Sequence, residues 1–129
     1  LLKSDLLTIM MAVTQGKLSG TTVEFADKAA ACVILASGGY PQSYESGKRI
    51  SGLISGAVHG AADVTVYHAG TKLLGRDLVT AGGRVLGVTA VADTLGDALE
   101  KAYHAADGIA FEKLHMRRDI GQSALKARV

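Results

Sequence analysis

Arg84-Val85-Leu86-Gly87-Val88-Thr89-Ala90-Val91-Ala92-Asp93-Thr94-Leu95-Gly96-Asp97-Ala98-Leu99-Glu100-Lys101-Ala102-Tyr103-His104-Ala105-Ala106-Asp107-Gly108 is the stretch that decides the fold. From Val85 to Ala92 both alternating sets of positions are largely apolar. That predicts a strand buried on both faces, central in a sheet. At Thr94 the period changes. Leu95, Ala98, Leu99, Ala102, Tyr103 and Ala106 recur at three and four, the spacing of an amphipathic helix over 95–107. Thr94 is its expected N-cap, and Asp97 completes a capping box. Asp97 and Lys101 stand at i,i+4, an expected ion pair on the outer face. Asp107-Gly108 ends the helix.

Outward from this unit, residues 30–36 (Ala-Ala-Cys-Val-Ile-Leu-Ala) predict a second strand buried on both faces, with Cys32 an inert packed thiol. Val64 to Tyr67 and Asp77 to Thr80 are short strand candidates, and Gly82-Gly83 reads as a hairpin-like turn into the strand at Val85. Val23 to Phe25, Ile50 to Ile54 and Phe111 to Met116 are weaker strand candidates, residues 55–62 are small and weakly patterned, and 122–129 form a basic tail. Residues 3–15 predict a helix with Ser4 as N-cap, Asp5 in its first turn and Gly16 as its stop. Its apolar stripe of Leu6, Leu7, Met10, Met11 and Val13 requires something to pack on. The sum is α+β: a mostly antiparallel sheet with one packed helix.

Composition narrows the function. The chain has 129 residues, and 14 basic against 12 acidic side chains leave a net charge of +2. That is too weak a field for a nucleic-acid binder. A single cysteine excludes an internal disulfide framework and a multi-cysteine zinc site. The longest apolar run, Ala29 to Ala36, is eight residues, far short of a membrane span. No signal peptide or basic presequence is recognisable, so a cytoplasmic location is expected. The first residue is Leu1 rather than Met, which reads as a fragment, a processed form or an incomplete chain.

Glycine is the unusual residue: 16 of 129, against a usual share of about 7%. The glycines cluster in Ser37-Gly38-Gly39-Tyr40-Pro41, His68-Ala69-Gly70-Thr71 and Thr80-Ala81-Gly82-Gly83-Arg84. Two readings stand for the last cluster. The amides of Gly82 and Gly83, with the fork of Arg84, suit a phosphate; a plain turn with an exposed arginine is the simpler account, because short glycine motifs are weak evidence. Arg117-Arg118-Asp119 suits a second anion or a solvated surface. His68 suits a hydrogen-bonding role or a turn cap. His59, His104 and His115 are scattered without metal-ligand spacing, and His104 beside Glu100 is expected on a solvated face. No Gly-x-Ser-x-Gly elbow surrounds Ser37 and no Gly-Lys-Ser/Thr loop occurs. The residues show no catalytic machinery.

In order and spacing, Leu2-Lys3-Ser4-Asp5-Leu6, Ala36-Ser37-Gly38-Gly39-Tyr40-Pro41, Tyr67-His68-Ala69-Gly70-Thr71, Gly82-Gly83-Arg84-Val85-Leu86-Gly87-Val88-Thr89-Ala90 and Arg117-Arg118-Asp119-Ile120-Gly121 resemble the C-terminal part of the phosphoribosylamine–glycine ligase (glycinamide ribonucleotide synthetase) family, whose members are ATP-grasp enzymes. The resemblance spans essentially the whole chain. It implies a ligase of de novo purine synthesis that joins glycine to 5-phosphoribosylamine with ATP and Mg2+ (or Mn2+), bound mainly outside this segment. It implies that residues 1–19 are the tail helix of the ATP-grasp domain and 20–129 the C-terminal domain, packed on ATP-grasp and N-terminal domains. Arg84, Gly82, Gly83 and Lys72 would hold the substrate phosphate. Ser37, Gly39, Tyr40, His68, Thr71 and Arg117 would line or shape the site. The Arg117–Asp119 pair is expected to be structural. No catalytic or metal-ligating residue falls in the segment, so the chain alone is expected to be inactive. The alternative is a non-catalytic homologue that binds a phosphate sugar or a protein partner.

Overall fold

The computed structural model describes residues 1–54, 57–58 and 63–127; His59 and most of 55–62 fall outside it, as do the last two residues of the basic tail. The elements are α1 (Leu6–Thr14), a 3-10 turn (Leu18–Gly20), β1 (Ala29–Ala36), β2 (Leu53–Ile54), β3 (Ala57–Val58), β4 (Val64–His68), β5 (Thr71–Leu74), β6 (Asp77–Thr80), β7 (Arg84–Ala92), α2 (Leu95–Asp107) and α3 (Gln122–Lys126). All pairings are antiparallel, so the α+β expectation holds.

β7 is the middle strand of the order β1-β7-β4. Val85, Leu86, Gly87, Val88 and Ala90 are buried, as expected of a strand covered on both faces. β1 is different. It lies at the sheet edge, and its burial alternates: Ala31, Val33 and Leu35 are buried, while Ala30, Cys32 and Ile34 are exposed. Its uniformly apolar sequence hides this alternation, and Cys32 is an exposed thiol rather than a packed one. Beyond β7, among the described residues only Ala36 of β1 pairs further, with His115. The Phe111–Met116 candidate is therefore a turn with one bridge, not a strand, and Val23–Phe25 likewise contributes only the bridge Leu2↔Phe25.

α2 covers the inner face of the sheet. Val33, Leu35, Val85, Leu86 and Val88 meet Ala102, Ala105 and Ala106 in one core. The alanines bring the helix axis close to the strands, where larger side chains would hold it off. Thr94 caps α2 as expected: its Oγ1 accepts from the Asp97 amide at 3.1 Å and donates to Asp97 Oδ2 at 2.7 Å. The expected Asp97–Lys101 pair does not form. Asp97 is engaged in the cap, and Lys101 Nζ lies 3.0 Å from Asp63 Oδ2 instead.

Two further expectations are corrected. Gly82-Gly83 is not a hairpin joining β6 to β7, because β6 pairs with β5 around a turn at Gly75, whose φ is +62°. β5 was not foreseen: it shows no alternation, and Leu73 and Leu74 are 72% and 63% exposed. Ser4 does not cap α1. Its hydroxyl accepts from the Glu24 amide at 2.7 Å, while Asp5 Oδ1 accepts from both the amide and the hydroxyl of Thr8 at 2.7 Å. Those two bonds hold the Asp5 carboxyl below its ordinary pKa.

Candidate functional site: a turn built from three glycine motifs

The three glycine clusters, far apart in sequence, meet at one place. The bulge between Leu35 and Ala36 shifts the β1–β7 register so that Ala36 faces Arg84, and the chain leaves β1 directly into Ser37. Ser37 is almost fully buried. Its amide donates to Gly83 O at 2.8 Å and its hydroxyl to Gly82 O at 2.9 Å. Both carbonyls of the Gly82-Gly83 dipeptide are thereby tied to one residue.

The second motif closes in from the other side. The Ala69 and Gly70 amides both donate to Val85 O, at 3.0 and 3.1 Å, and the Ala81 amide donates to Gly70 O at 2.7 Å. Backbone meets backbone here: a Cβ on Gly70 would stand 2.5 Å from Arg84 O and 2.8 Å from Gly82 Cα. His68 Nδ1 lies 3.0 Å from Thr71 Oγ1, which closes the same turn locally; His68 is exposed and Thr71 half-buried. The third contact is the Tyr40 ring, seated on Gly83. A Cβ there would overlap Tyr40 Cδ2 at 2.0 Å, so only glycine admits the ring. Gly39 has a φ of +93° and a Cβ on it would meet Ser43 O at 2.1 Å. The loop that carries Tyr40 then returns alongside β6, where the Gly47 amide donates to Thr80 O at 2.7 Å. Lys48 Nζ pins the loop by pairing with Glu45 at 2.8 Å and Glu112 at 3.0 Å.

Arg84 leaves this turn with its side chain exposed. Among the described residues no carboxylate pairs with it, whereas Arg49, Arg117 and Arg118 are bound to Asp77, Asp119 and Asp107. The Arg117 contact is two-pronged, with Nε and Nη2 donating to Asp119 at 2.9 and 2.6 Å. The guanidinium keeps the Asp119 carboxyl below its ordinary pKa. Tyr103 Oη donates to Arg117 O at 2.9 Å, fastening the segment to α2. Lys72 stands exposed on β5 opposite Val79, in the neighbouring two-stranded ribbon.

Between the turn and the Arg117 segment runs a groove of about 300 Å³ that both Arg84 and Arg117 line, over Cys32, Ile34, Tyr40 and Met116. Its apolar floor was not foreseen. The alternation of burial within β1 puts Cys32 and Ile34 on the open face, and the uniformly apolar sequence of that strand carries no mark of it. The chemistry available is that of an anion site: a free guanidinium and oriented backbone around a fixed turn. Among the described residues no group of three or more His, Cys, Asp or Glu could hold a metal ion, and no helix is long and apolar enough to cross a membrane.

Residues 30–123 match the family model described as phosphoribosylglycinamide synthetase, C domain. The chain is 48% identical over 125 residues to a phosphoribosylamine–glycine ligase of Chlorobaculum tepidum, covering 97% of this chain and 29% of that protein. It is 42% identical over 126 residues to a bifunctional purine biosynthetic protein of Dictyostelium discoideum, covering 97% of this chain and 15% of that protein. A crystal structure of phosphoribosylamine–glycine ligase from Thermotoga maritima superposes with a TM-score of 0.66 at 31% identity, over 85% of this chain and 27% of that one. The chain thus spans less than a third of the length of these relatives. With the family model matched across the sheet, α2 and the glycine turn, the chain belongs to the phosphoribosylglycinamide synthetase C-domain family.

Proposed function

We propose that the chain is part of a phosphoribosylamine–glycine ligase and forms one wall of its substrate site. The observation that carries this reading is Arg84, an exposed arginine at the exit of a turn fixed by three motifs, with no carboxylate partner among the described residues. A guanidinium in that state is open to two phosphate oxygens at once. In this reading the whole ligase uses ATP to join glycine to 5-phosphoribosylamine, giving glycinamide ribonucleotide for purine synthesis in the cytoplasm. Arg84 and the amides of Gly82 and Gly83 take the 5-phosphate, and Lys72 adds a second cation. Ser37, Gly39, Tyr40, His68, Thr71 and Arg117 shape the wall. ATP and Mg2+ (or Mn2+) are assigned to other parts of the ligase, because the described residues offer no cluster of metal ligands.

The bare stripe of α1 supports the same reading. Leu6, Leu7, Met10 and Met11 are 51–65% exposed, an apolar patch suited to an adjoining domain. We assign residues 1–19 to the tail of an ATP-grasp domain, 20–129 to the C-terminal domain, and the stripe to the contact between this chain and the ATP-grasp and N-terminal domains. The 129-residue chain by itself is inactive in this reading, since a ligase must hold nucleotide, metal and both substrates in one site.

Arg84→Ala in the complete ligase tests the assignment. Loss of a charged hydrogen-bond partner costs about 1.5–3 kcal/mol, so the KM for phosphoribosylamine should rise about ten- to a hundredfold while that for ATP changes less than about twofold. An unchanged KM and kcat for phosphoribosylamine would refute it.

A further inference from the structure

We infer that Ser37 is a positioning residue for substrate phosphate: it sets the direction of the Gly82-Gly83 peptides, and through them the exit of Arg84. The inference rests on the phosphate reading of Arg84. Its own ground is the pair of hydrogen bonds from one buried residue, amide to Gly83 O at 2.8 Å and hydroxyl to Gly82 O at 2.9 Å.

A trans peptide holds its C=O and its following N–H on opposite sides. With the Gly82 and Gly83 carbonyls both drawn toward Ser37, the N–H groups of Gly83 and Arg84 are turned to the far side of the turn. Among the described residues the Gly83 N–H meets no backbone acceptor. A glycine pair left to itself would sample many peptide orientations. Here three contacts remove that freedom: Ser37 holds the carbonyls, Gly70 packs on Gly82 Cα, and the Tyr40 ring covers Gly83. Of these only the Ser37 hydroxyl is a side-chain hydrogen bond, so it is the one that a single substitution removes without moving backbone. The hydroxyl sits behind the turn and has no need to touch the substrate.

The test uses the complete ligase and its product, glycinamide ribonucleotide, which carries the same phosphate; binding is read by calorimetry, with ATP as the control ligand. A neutral hydrogen bond contributes about 0.5–1.5 kcal/mol, so Ser37→Ala should weaken ribonucleotide binding about three- to tenfold and leave ATP binding within about twofold. In an Arg84→Ala background the same Ser37→Ala change should weaken binding by a clearly smaller factor than in the unaltered ligase, because residues acting through one another are not additive. Gly83→Ala drives a methyl into the Tyr40 ring and should weaken ribonucleotide binding alone. Adding Tyr40→Ala should recover part of that loss. If Ser37→Ala does not fold, Ser37→Cys, whose thiol is only a weak donor, takes its place and should show the same loss confined to ribonucleotide binding. Full additivity of Ser37→Ala with Arg84→Ala, or equal loss of ATP and ribonucleotide binding, overturns the positioning role while leaving the phosphate reading intact. An Arg84→Ala enzyme that binds ribonucleotide normally overturns the phosphate reading itself.

Discussion

α1 and α2 are both capped by a side chain, both rich in apolar residues, and opposite in fate. α2 buries Ala98, Leu99, Ala102, Ala105 and Ala106 against the sheet and turns Glu100, Lys101 and His104 outward. α1 buries only Ala12 and leaves Leu6, Leu7, Met10, Met11 and Val13 in the open. The difference teaches that an apolar stripe specifies a need for cover and not the cover itself. For α2 the cover precedes it in the chain, as β1 and β7. For α1 nothing among the described residues meets that need.

The contrast can be broken most directly by charge. Ala102→Asp would place an unpaired carboxylate between α2 and the sheet, and burial of such a group costs about 3–5 kcal/mol; urea unfolding should show the domain largely lost. Met10→Asp on α1 should change the unfolding free energy by no more than about 0.5 kcal/mol. An equal penalty would mean that α1 is covered in solution. Leu99→Ala removes a nearly buried side chain and should cost about 2–4 kcal/mol. Thr94→Ala removes the α2 cap and should cost about 1 kcal/mol.

The smallest effect separates the caps themselves. Asp5 caps α1 with a carboxylate whose pKa is lowered by the Thr8 side-chain and backbone hydrogen bonds. Its stabilising effect is present above the ordinary carboxylate pKa and is lost as pH falls through the lowered value. The Thr94 hydroxyl that caps α2 does not titrate in that range. Amide exchange measured from pH 5 downward should therefore show α1 fraying first, and simultaneous fraying would contradict the assignment of the caps.

What was legible in the sequence follows from where the causes lie. β7 and α2 were legible because both obey local rules: a two-sided apolar run, a change of period at Thr94, and a cap three residues before Asp97. β1 was legible as a strand but not as an edge, since Ala-Ala-Ala-Cys-Val-Ile-Leu-Ala has no polar residue to mark its outer face. β5 was hidden because a ribbon with Leu73 and Leu74 exposed violates the pattern by which strands are recognised. At the candidate site each glycine cluster could be found alone. That Ser37 reaches Gly82 across 45 positions, or that Tyr40 lies on Gly83, is a property of the register and of the bulge at Ala36. Neither is written in spacing. The five motifs in series pointed to the family, and the family model and relatives bear that out.

The edge position of β1 has a colloidal consequence. Proteins blunt exposed sheet edges with charge, proline or a bulge in mid-strand, and Ala29–Ala36 contains no charged residue and no proline, and its pairing with β7 is regular up to the last step, where the extra residue, Val85, lies on β7. A domain of this sequence severed from whatever borders it offers a ready template for strand addition. Copies released by proteolysis or expressed alone should add to one another through β1 and come out of solution as concentration rises. Keeping neighbours on that edge is thus a matter of solubility as much as of chemistry.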